Sequence, residues 1–237
     1  MSKKLIGVIV AAAVAIVAVL VVVQLSGSDG PTADQFQKSA PEVEALLKGI
    51  PQDGATLGKA DAPVTLTEFV DYKCPFCRDA AVGPVKKVIT DYVKTGKVKI
   101  VLKPIRLGAA AGQGSRLGPD SERGALAGLA AAKQDKMWQF TEILYANQGD
   151  ESTEWITDAV VEDIVKASGA DVDQWKKDYA QDAVVDEMFA NEAAATAANY
   201  TGTPWFVATG PGGTKSFSES SDYEVFRTNL DAVAAKQ

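Results

Sequence analysis

The two cysteines of this chain stand three positions apart, at Cys74 and Cys77, in the sequence Cys-Pro-Phe-Cys. Two thiols at this spacing can close a small disulfide ring and open it again, which is redox chemistry. The motif follows an alternating apolar pattern typical of a strand and precedes a pattern typical of a helix. The fold must therefore bring a strand, a tight turn and the first turn of a helix together at Cys74.

Two other uses of a cysteine pair are weaker. A purely structural disulfide across this spacing closes a very short loop, so it removes little entropy from the unfolded chain. A zinc site needs about four ligands, and the chain has no histidine and no further cysteine, so no metal is expected. The net charge of -7 argues against nucleic-acid binding. A redox-active pair is favoured, and the structural disulfide stays open as the alternative.

The N-terminal segment has the length and composition of a membrane helix. Leu5 to Val23 form an uncharged apolar run of 19 residues, preceded by Lys3 and Lys4. As a helix this run spans about 28 Å, close to the hydrocarbon core of a bilayer. The lysines predict a cytoplasmic N-terminus and an extracytoplasmic remainder. A cleavable signal peptide is the alternative, and both interpretations expose the cysteines to an oxidising compartment.

The sequence divides into an anchor over residues 1–25, a linker or stalk over 26–54 and a folded domain over 55–237. Within the domain, Val64 to Asp71 alternate as a strand, and a second strand pattern runs from Val98 to Ile105. A helix is expected between them, from Phe76 to about Tyr92. Pro75 favours its first position, and Pro84 predicts a kink. A helical connection of this kind makes the two strands parallel.

The second half of the domain begins with helical patterns, in an insertion over about residues 107–200. Ser121 is expected to cap its first helix. Strand patterns return at Trp205–Ala208 and Thr214–Ser218 as a hairpin. Ser221 and Glu224 have the spacing of a capping box for a final helix. The predicted order is βαβ, a helical insertion and ββα.

The motif places different demands on its two thiols. Cys74 is expected at the N-terminus of a helix, where the unpaired N–H groups and the helix dipole favour a thiolate. Cys77 lies about one turn further on, better shielded, and can resolve a mixed disulfide. Pro75 and Phe76 carry no charge, so the helix terminus and nearby hydrogen-bond donors must tune Cys74. Glu68 is a carboxylate in an otherwise apolar row of the strand that leads to the motif.

Cys-Pro-Phe-Cys after a strand, a second strand, a helical insertion and Gly202-Thr203-Pro204 before a hairpin resemble the DsbA-like branch of the thioredoxin superfamily. The resemblance covers about residues 55–235. The segment from Leu57 to Asp71 is also similar to that of membrane-anchored, extracytoplasmic bacterial members. The resemblance implies a thioredoxin fold with a helical domain inserted between its βαβ and ββα halves.

The resemblance also implies residue roles. Cys74 would be the attacking thiolate and Cys77 the resolving thiol. Pro204 would follow a cis peptide bond, leaving the Thr203 backbone free to pair with an extended substrate peptide. Glu68 would be the buried acid beneath the inner cysteine, with a raised pKa and a role in proton transfer. The alternative for Glu68 is an ion-paired carboxylate without a redox role, and Lys103 on the second strand is a candidate partner.

The function implied by the resemblance is thiol:disulfide exchange that introduces disulfides into exported proteins, with a membrane quinone-linked protein as reoxidant. Beyond the redox-active cysteine pair no cofactor is expected, and we expect a monomer. A disulfide reductase or isomerase of the same fold is the first alternative, and a tethered chaperone or binding module with a structural disulfide is the second. Phe76 stands where the family's prototype has histidine, which predicts a less oxidising disulfide.

Overall fold

The computed structural model describes residues 30–109, 114–218 and 221–235. The membrane helix predicted over residues 1–25 lies outside these ranges. Within them, no helix combines the length and the apolar character needed to cross a bilayer.

One mixed sheet forms the centre of the described structure. Its strands are β1 (Gln52–Asp53), β2 (Thr56–Leu57), β3 (Val64–Val70), β4 (Val98–Pro104), β5 (Trp205–Gly210) and β6 (Gly213–Phe217). Their order is β1-β2-β4-β3-β5-β6. Strand β3 is parallel to β4 and antiparallel to β5, so the strand that leads to the cysteines is at the middle of the sheet.

Eight helices surround the sheet in the described residues. They are α1 (Ala33–Leu47), α2 (residues 75–93), α3 (Asp120–Ala132), α4 (Met137–Ala146), α5 (Asp158–Ala167), α6 (Val172–Tyr179), α7 (Asp182–Ala197) and α8 (Tyr223–Ala234). Helix α2 is interrupted by a wider turn over Ala81–Val85, where Gly83 leaves helical geometry (φ -111°, ψ -105°). Pro84 lies in this turn and supplies no backbone N–H, so the predicted kink is confirmed.

The predicted thioredoxin fold with a helical insertion is confirmed. The chain runs β3-α2-β4, then through helices α3 to α7, and returns through β5, β6 and α8. Alternate residues of β4 are buried along its whole length. On the other side of β3, Phe206 of β5 packs against Phe217 and Phe226, with ring centroids 5.2 and 4.7 Å away. These contacts hold the sheet against α8.

Two predicted helix caps are wrong. Pro119, not Ser121, precedes α3, and the Ser121 hydroxyl donates to the Asp71 carboxylate instead. At α8 the capping side chain is Asp222, which accepts a hydrogen bond from the Glu224 N–H at 2.9 Å. In both cases a nearby residue takes the terminal position.

Residues 26–54, predicted as a linker or stalk with a short helix over Pro41 to Lys48, contain a longer helix, α1, in their described part. Helix α1 begins after Thr32, whose hydroxyl and N–H both donate to the Gln35 side chain. Its apolar face buries Phe36, Val43 and Leu47 in the main core. Burying three large apolar side chains favours a docked helix over a free one by several kcal/mol, at roughly 1.5–3 kcal/mol each.

Candidate active site

Cys74 lies where β3 gives way to α2. Its backbone is extended (φ -70°, ψ 121°), and Pro75 begins the helix, as predicted. The Cys74 N–H donates to the Asp71 carbonyl at 2.9 Å, which closes the turn after the strand. Its thiol donates to the Thr203 carbonyl at 3.3 Å. The helix start and the loop before β5 therefore meet at this sulfur atom.

The two cysteines are free thiols in unequal surroundings. A hydrogen bond from Cys77 lowers the pKa of Cys74 to about 7, against the opposing effect of burial. The Thr203 side chain and the N–H groups of Phe76 and Cys77 lower this pKa further. Burial raises the pKa of Cys77 well above its ordinary value, and its hydrogen bond to Cys74 adds to the shift. Cys74 thus ionises first and Cys77 holds its proton.

A groove of about 450 Å³ adjoins the cysteine motif at Phe76 and at Thr203, whose carbonyl accepts the Cys74 hydrogen bond. It is lined by Phe76, Asp79, Ser218 and Ser221 together with the backbone segment 201–204. The Thr203–Pro204 peptide bond is cis, as the resemblance implies. Phe76 is 63% exposed and offers an apolar face at the rim of the groove.

Glu68 is buried in the apolar row of β3, with 2% of its surface exposed. Burial, and after it the charge of the nearby Glu142 carboxylate, raises the pKa of its carboxyl group to about 8. The raised pKa is the direction that the sequence predicts for a buried acid. Glu142, which belongs to the helical insertion, is a neighbour that the strand pattern could not identify.

The suggested pairing of Glu68 with Lys103 is wrong. In the parallel register Glu68 is opposite Leu102, and Lys103 is opposite Phe69. Neighbouring residues of a strand point to opposite faces, so Lys103 points away from Glu68. Its ammonium group donates to Asn191 Oδ1 of α7 at 2.9 Å.

Asp71 is a buried polar residue that the sequence analysis did not assign to the site. Its carboxylate accepts hydrogen bonds from the hydroxyls of Ser115 and Ser121, and from the N–H groups of Lys73 and Leu107. Burial raises the pKa of Asp71 in spite of these donors. This set of bonds fixes the turn that presents Cys74.

Three side chains of the insertion, Asp120, Gln148 and Tyr145, bind the same turn. The Lys73 ammonium group is buried and binds Asp120 Oδ1 and the Thr153 carbonyl, both at 2.8 Å. The Gln148 amide donates to the carbonyl of Cys74 at 3.1 Å. The Tyr145 hydroxyl donates to the Asp71 carbonyl at 3.2 Å. Each of these partners is distant from the turn along the chain, and no local sequence motif predicts the contact.

No group of three or more acidic, cysteine or histidine side chains in the described ranges has the arrangement of a metal site. The site combines a Cys74 thiol of lowered pKa that contacts the groove-lining Thr203, a fully buried Cys77, and a buried acid on the adjoining strand.

Comparison with known proteins agrees with this geometry. The family model described as Thioredoxin matches residues 51–232. The probable disulfide bond formation protein D of Bacillus cereus is 39% identical over 127 residues, which are 52% of this chain and 55% of that protein. The disulfide bond formation protein D of Bacillus subtilis is 36% identical over 124 residues, 52% of this chain and 50% of that protein.

The crystal structure of oxidised BdbD from Bacillus subtilis has the same fold. It is 24% identical, has a TM-score of 0.63, and the match covers 86% of this chain and 95% of that chain. Since the family model covers most of the chain, this protein belongs to the thioredoxin family. The chain spans about half the length of the curated relatives it matches.

Proposed function

We propose that this chain is an extracytoplasmic thiol:disulfide oxidoreductase that introduces disulfides into exported proteins through Cys74 and Cys77. The observation that carries the proposal is the opposite displacement of the two thiol pKa values, which makes Cys74 the better nucleophile and leaving group. Stabilising the Cys74 thiolate favours the reduced pair, and a favoured reduced pair makes the disulfide an oxidant. The disulfide bond formation proteins among the relatives support the same direction.

The reaction begins with the Cys74–Cys77 disulfide. A substrate thiolate attacks Cys74 Sγ, the bond between the two cysteines breaks, and Cys77 leaves as a thiolate that takes up a proton. A second substrate thiolate then attacks the substrate sulfur of the mixed disulfide and releases the Cys74 thiolate. Two electrons pass from the substrate to the chain, and the substrate leaves with a new disulfide.

The groove beside the cysteines suits an extended peptide. Thr203 and Pro204 lie along it, and Phe76 and Asp79 offer an apolar and an acidic contact at its rim. A substrate strand that pairs with the Thr203 backbone would align its thiol with Cys74 Sγ, 3.3 Å from the Thr203 carbonyl. Glu68, as the buried acid, would exchange a proton with the cysteine pair during the reaction.

The proposed setting is the outer face of a cell membrane, with residues 1–25 as a single-pass anchor and a cytoplasmic N-terminus. The folded domain would then begin near Ala33, where α1 starts, and continue to the C-terminal end. The proposal needs no cofactor besides the cysteine pair. A quinone-linked membrane protein is the proposed reoxidant, because each turnover leaves the dithiol reduced. We expect the chain to act as a monomer.

The first experiment is the reduction potential of the full chain, measured by equilibration with glutathione and read by tryptophan fluorescence. A value near or above about -180 mV is the range of oxidising catalysts and supports disulfide donation. A value near about -270 mV is typical of a reductant and would instead support a disulfide reductase. A chain that does not equilibrate with glutathione would carry a structural disulfide, as in a tethered chaperone or binding module.

A further inference from the structure

A second buried carboxyl group lies at the boundary between the insertion and the thioredoxin core. Glu142 of α4 is 2% exposed, as Glu68 is, and its Oε2 atom has no hydrogen-bond partner among the described residues. Leaving a carboxyl oxygen buried and unpaired is unfavourable. Such a position needs an explanation beyond packing.

Hydrogen bonds fix α4 against the end of β3. The hydroxyl groups of Thr141 and Tyr72 are 2.8 Å apart, and the Tyr145 hydroxyl donates to the Asp71 carbonyl at 3.2 Å. These two contacts stand one residue before and three residues after Glu142 on the same helix. They hold the Glu142 carboxyl group at this boundary.

Charged groups from three elements surround the Glu142 carboxyl group. Burial raises the pKa of Glu142 to about 7; Lys86 of α2 lowers it and Glu42 of α1 raises it. The third charged group is Glu68 of β3. Burial, and after it the charge of Glu142, raises the pKa of Glu68 to about 8. Near neutral pH the two buried carboxyl groups are therefore not both ionised, and the pair retains a proton.

The pair reaches from the redox site towards solvent. Burial, and after it the charges of Cys77, Tyr72 and Glu68, raise the pKa of Tyr145. On the other side, Lys86 forms an ion pair with Glu42 at 3.1 Å, and the side chains are 28% and 78% exposed. Helix α4, which carries Glu142, packs against α1, which carries Glu42, and against the Ala81–Val85 turn of α2, which directly precedes Lys86.

We propose that Glu142 is a positioning residue for the redox reaction: its carboxyl group controls whether Glu68 holds a proton, and links Glu68 to solvent beside Lys86 and Glu42. The inference rests on the proposed exchange chemistry. When the disulfide opens, the Cys77 thiolate gains the proton that the Glu68 carboxyl group loses. Glu142 returns a proton to Glu68 and is itself reprotonated from solvent, and the sequence reverses when the disulfide is restored.

The test is a pH titration of the Glu68 side-chain carboxyl carbon by NMR in the full, glutamate-labelled chain. The Glu68 signal is assigned by its loss in Glu68→Gln. In Glu142→Gln, which keeps the shape of the side chain and removes its charge, Glu68 should titrate at lower pH. We expect its protonation constant to fall about tenfold, or about one pH unit. Glu187→Gln is the matched control, because Glu187 lies in the same insertion but pairs with Lys133 at the surface.

An unchanged Glu68 midpoint in folded Glu142→Gln would overturn the inference. If that variant does not fold, Lys86→Met takes its place, and removing this cation should raise the titration midpoint of Glu142. An unmoved Glu142 midpoint would overturn the inference equally.

The rate of oxidation by glutathione, measured against pH on the same samples, separates this inference from the proposed function. We expect Glu142→Gln to shift the pH profile of the rate to lower pH, as it shifts the titration midpoint of Glu68. A native chain that exchanges no disulfide with glutathione would overturn the proposed function. A native chain that exchanges normally, with the same pH profile in both glutamine variants, would overturn the role of Glu142 alone.

Discussion

The thioredoxin core and the helical insertion contribute to the same site in different ways. The core supplies the reacting atoms: Cys74 and Cys77 on one helix and the cis Pro204 before β5. The insertion supplies the surroundings, through residues such as Asp120, which lies 47 positions away from the Lys73 side chain that it binds. The two thiols are therefore close together in the sequence, whereas Pro204 and the residues of the insertion that surround them are distant from the motif.

The sharpest division within the core is between its two thiols, and serine substitutions should separate them. Cys74→Ser should abolish exchange with glutathione, because the remaining thiol, Cys77, is fully buried and has a raised pKa. Cys77→Ser keeps the nucleophile but removes the resolving thiol, so it should accumulate mixed disulfides on Cys74, detectable by mass spectrometry. Residual exchange in Cys74→Ser, or no trapped species with Cys77→Ser, would contradict the assignment of roles.

The contribution of the insertion can be tested at the buried Lys73–Asp120 ion pair. Asp120→Asn leaves the Lys73 ammonium group buried without its counter-charge, and removing one partner of such a pair costs roughly 3–5 kcal/mol. The free energy of unfolding, measured in urea, should fall by about 3 kcal/mol. Glu187→Gln is the control for a surface pair, and its loss should stay below about 1 kcal/mol. Equal losses in the two variants would mean that the insertion does not hold the Cys74 turn through this contact.

The same comparison explains which parts of the structure the sequence could predict. Strand β3, its parallel partner β4, the kink at Pro84 and the hairpin follow from periodicities of neighbouring residues, and all are confirmed. Lys103 was misassigned because strand register decides which face a side chain occupies, and a parallel register is set by the whole sheet. The buried Glu142 is surrounded in the sequence by ordinary helix-forming residues, so only the docked helix reveals what it faces.

The two thiols should also differ in how their reactivity depends on pH. Only the thiolate reacts with iodoacetamide, so the alkylation rate of Cys74 should rise with pH and level off above its pKa of about 7. In Cys74→Ser the remaining Cys77 has a pKa raised well above its ordinary value by burial, so its rate should still be rising above pH 9. Mass spectrometry of the labelled peptides measures both rates. Midpoints that coincide would show that the helix terminus and burial do not separate the two thiols.

The smallest predicted effect concerns Phe76, which separates the two cysteines and carries no charge. Phe76→His places an imidazole beside the Cys74 thiolate, and its protonated form should stabilise that thiolate and raise the reduction potential. We expect an increase of roughly 30 mV, which corresponds to about 1.4 kcal/mol for a two-electron couple.

The pH dependence of that increase distinguishes charge from shape. Position 76 is 63% exposed, so the new imidazole should keep an ordinary pKa of about 6.5. Its positive charge is present below that pH and lost above it, so the potential should rise relative to the native chain at pH 6 and converge with it at pH 8. Phe76→Leu changes the size of the apolar side chain without adding charge, and should leave the difference from the native chain independent of pH. An equal increase in both variants would assign the effect to lost packing at the groove rim, and the environment of Cys74 would then depend on the aromatic ring itself.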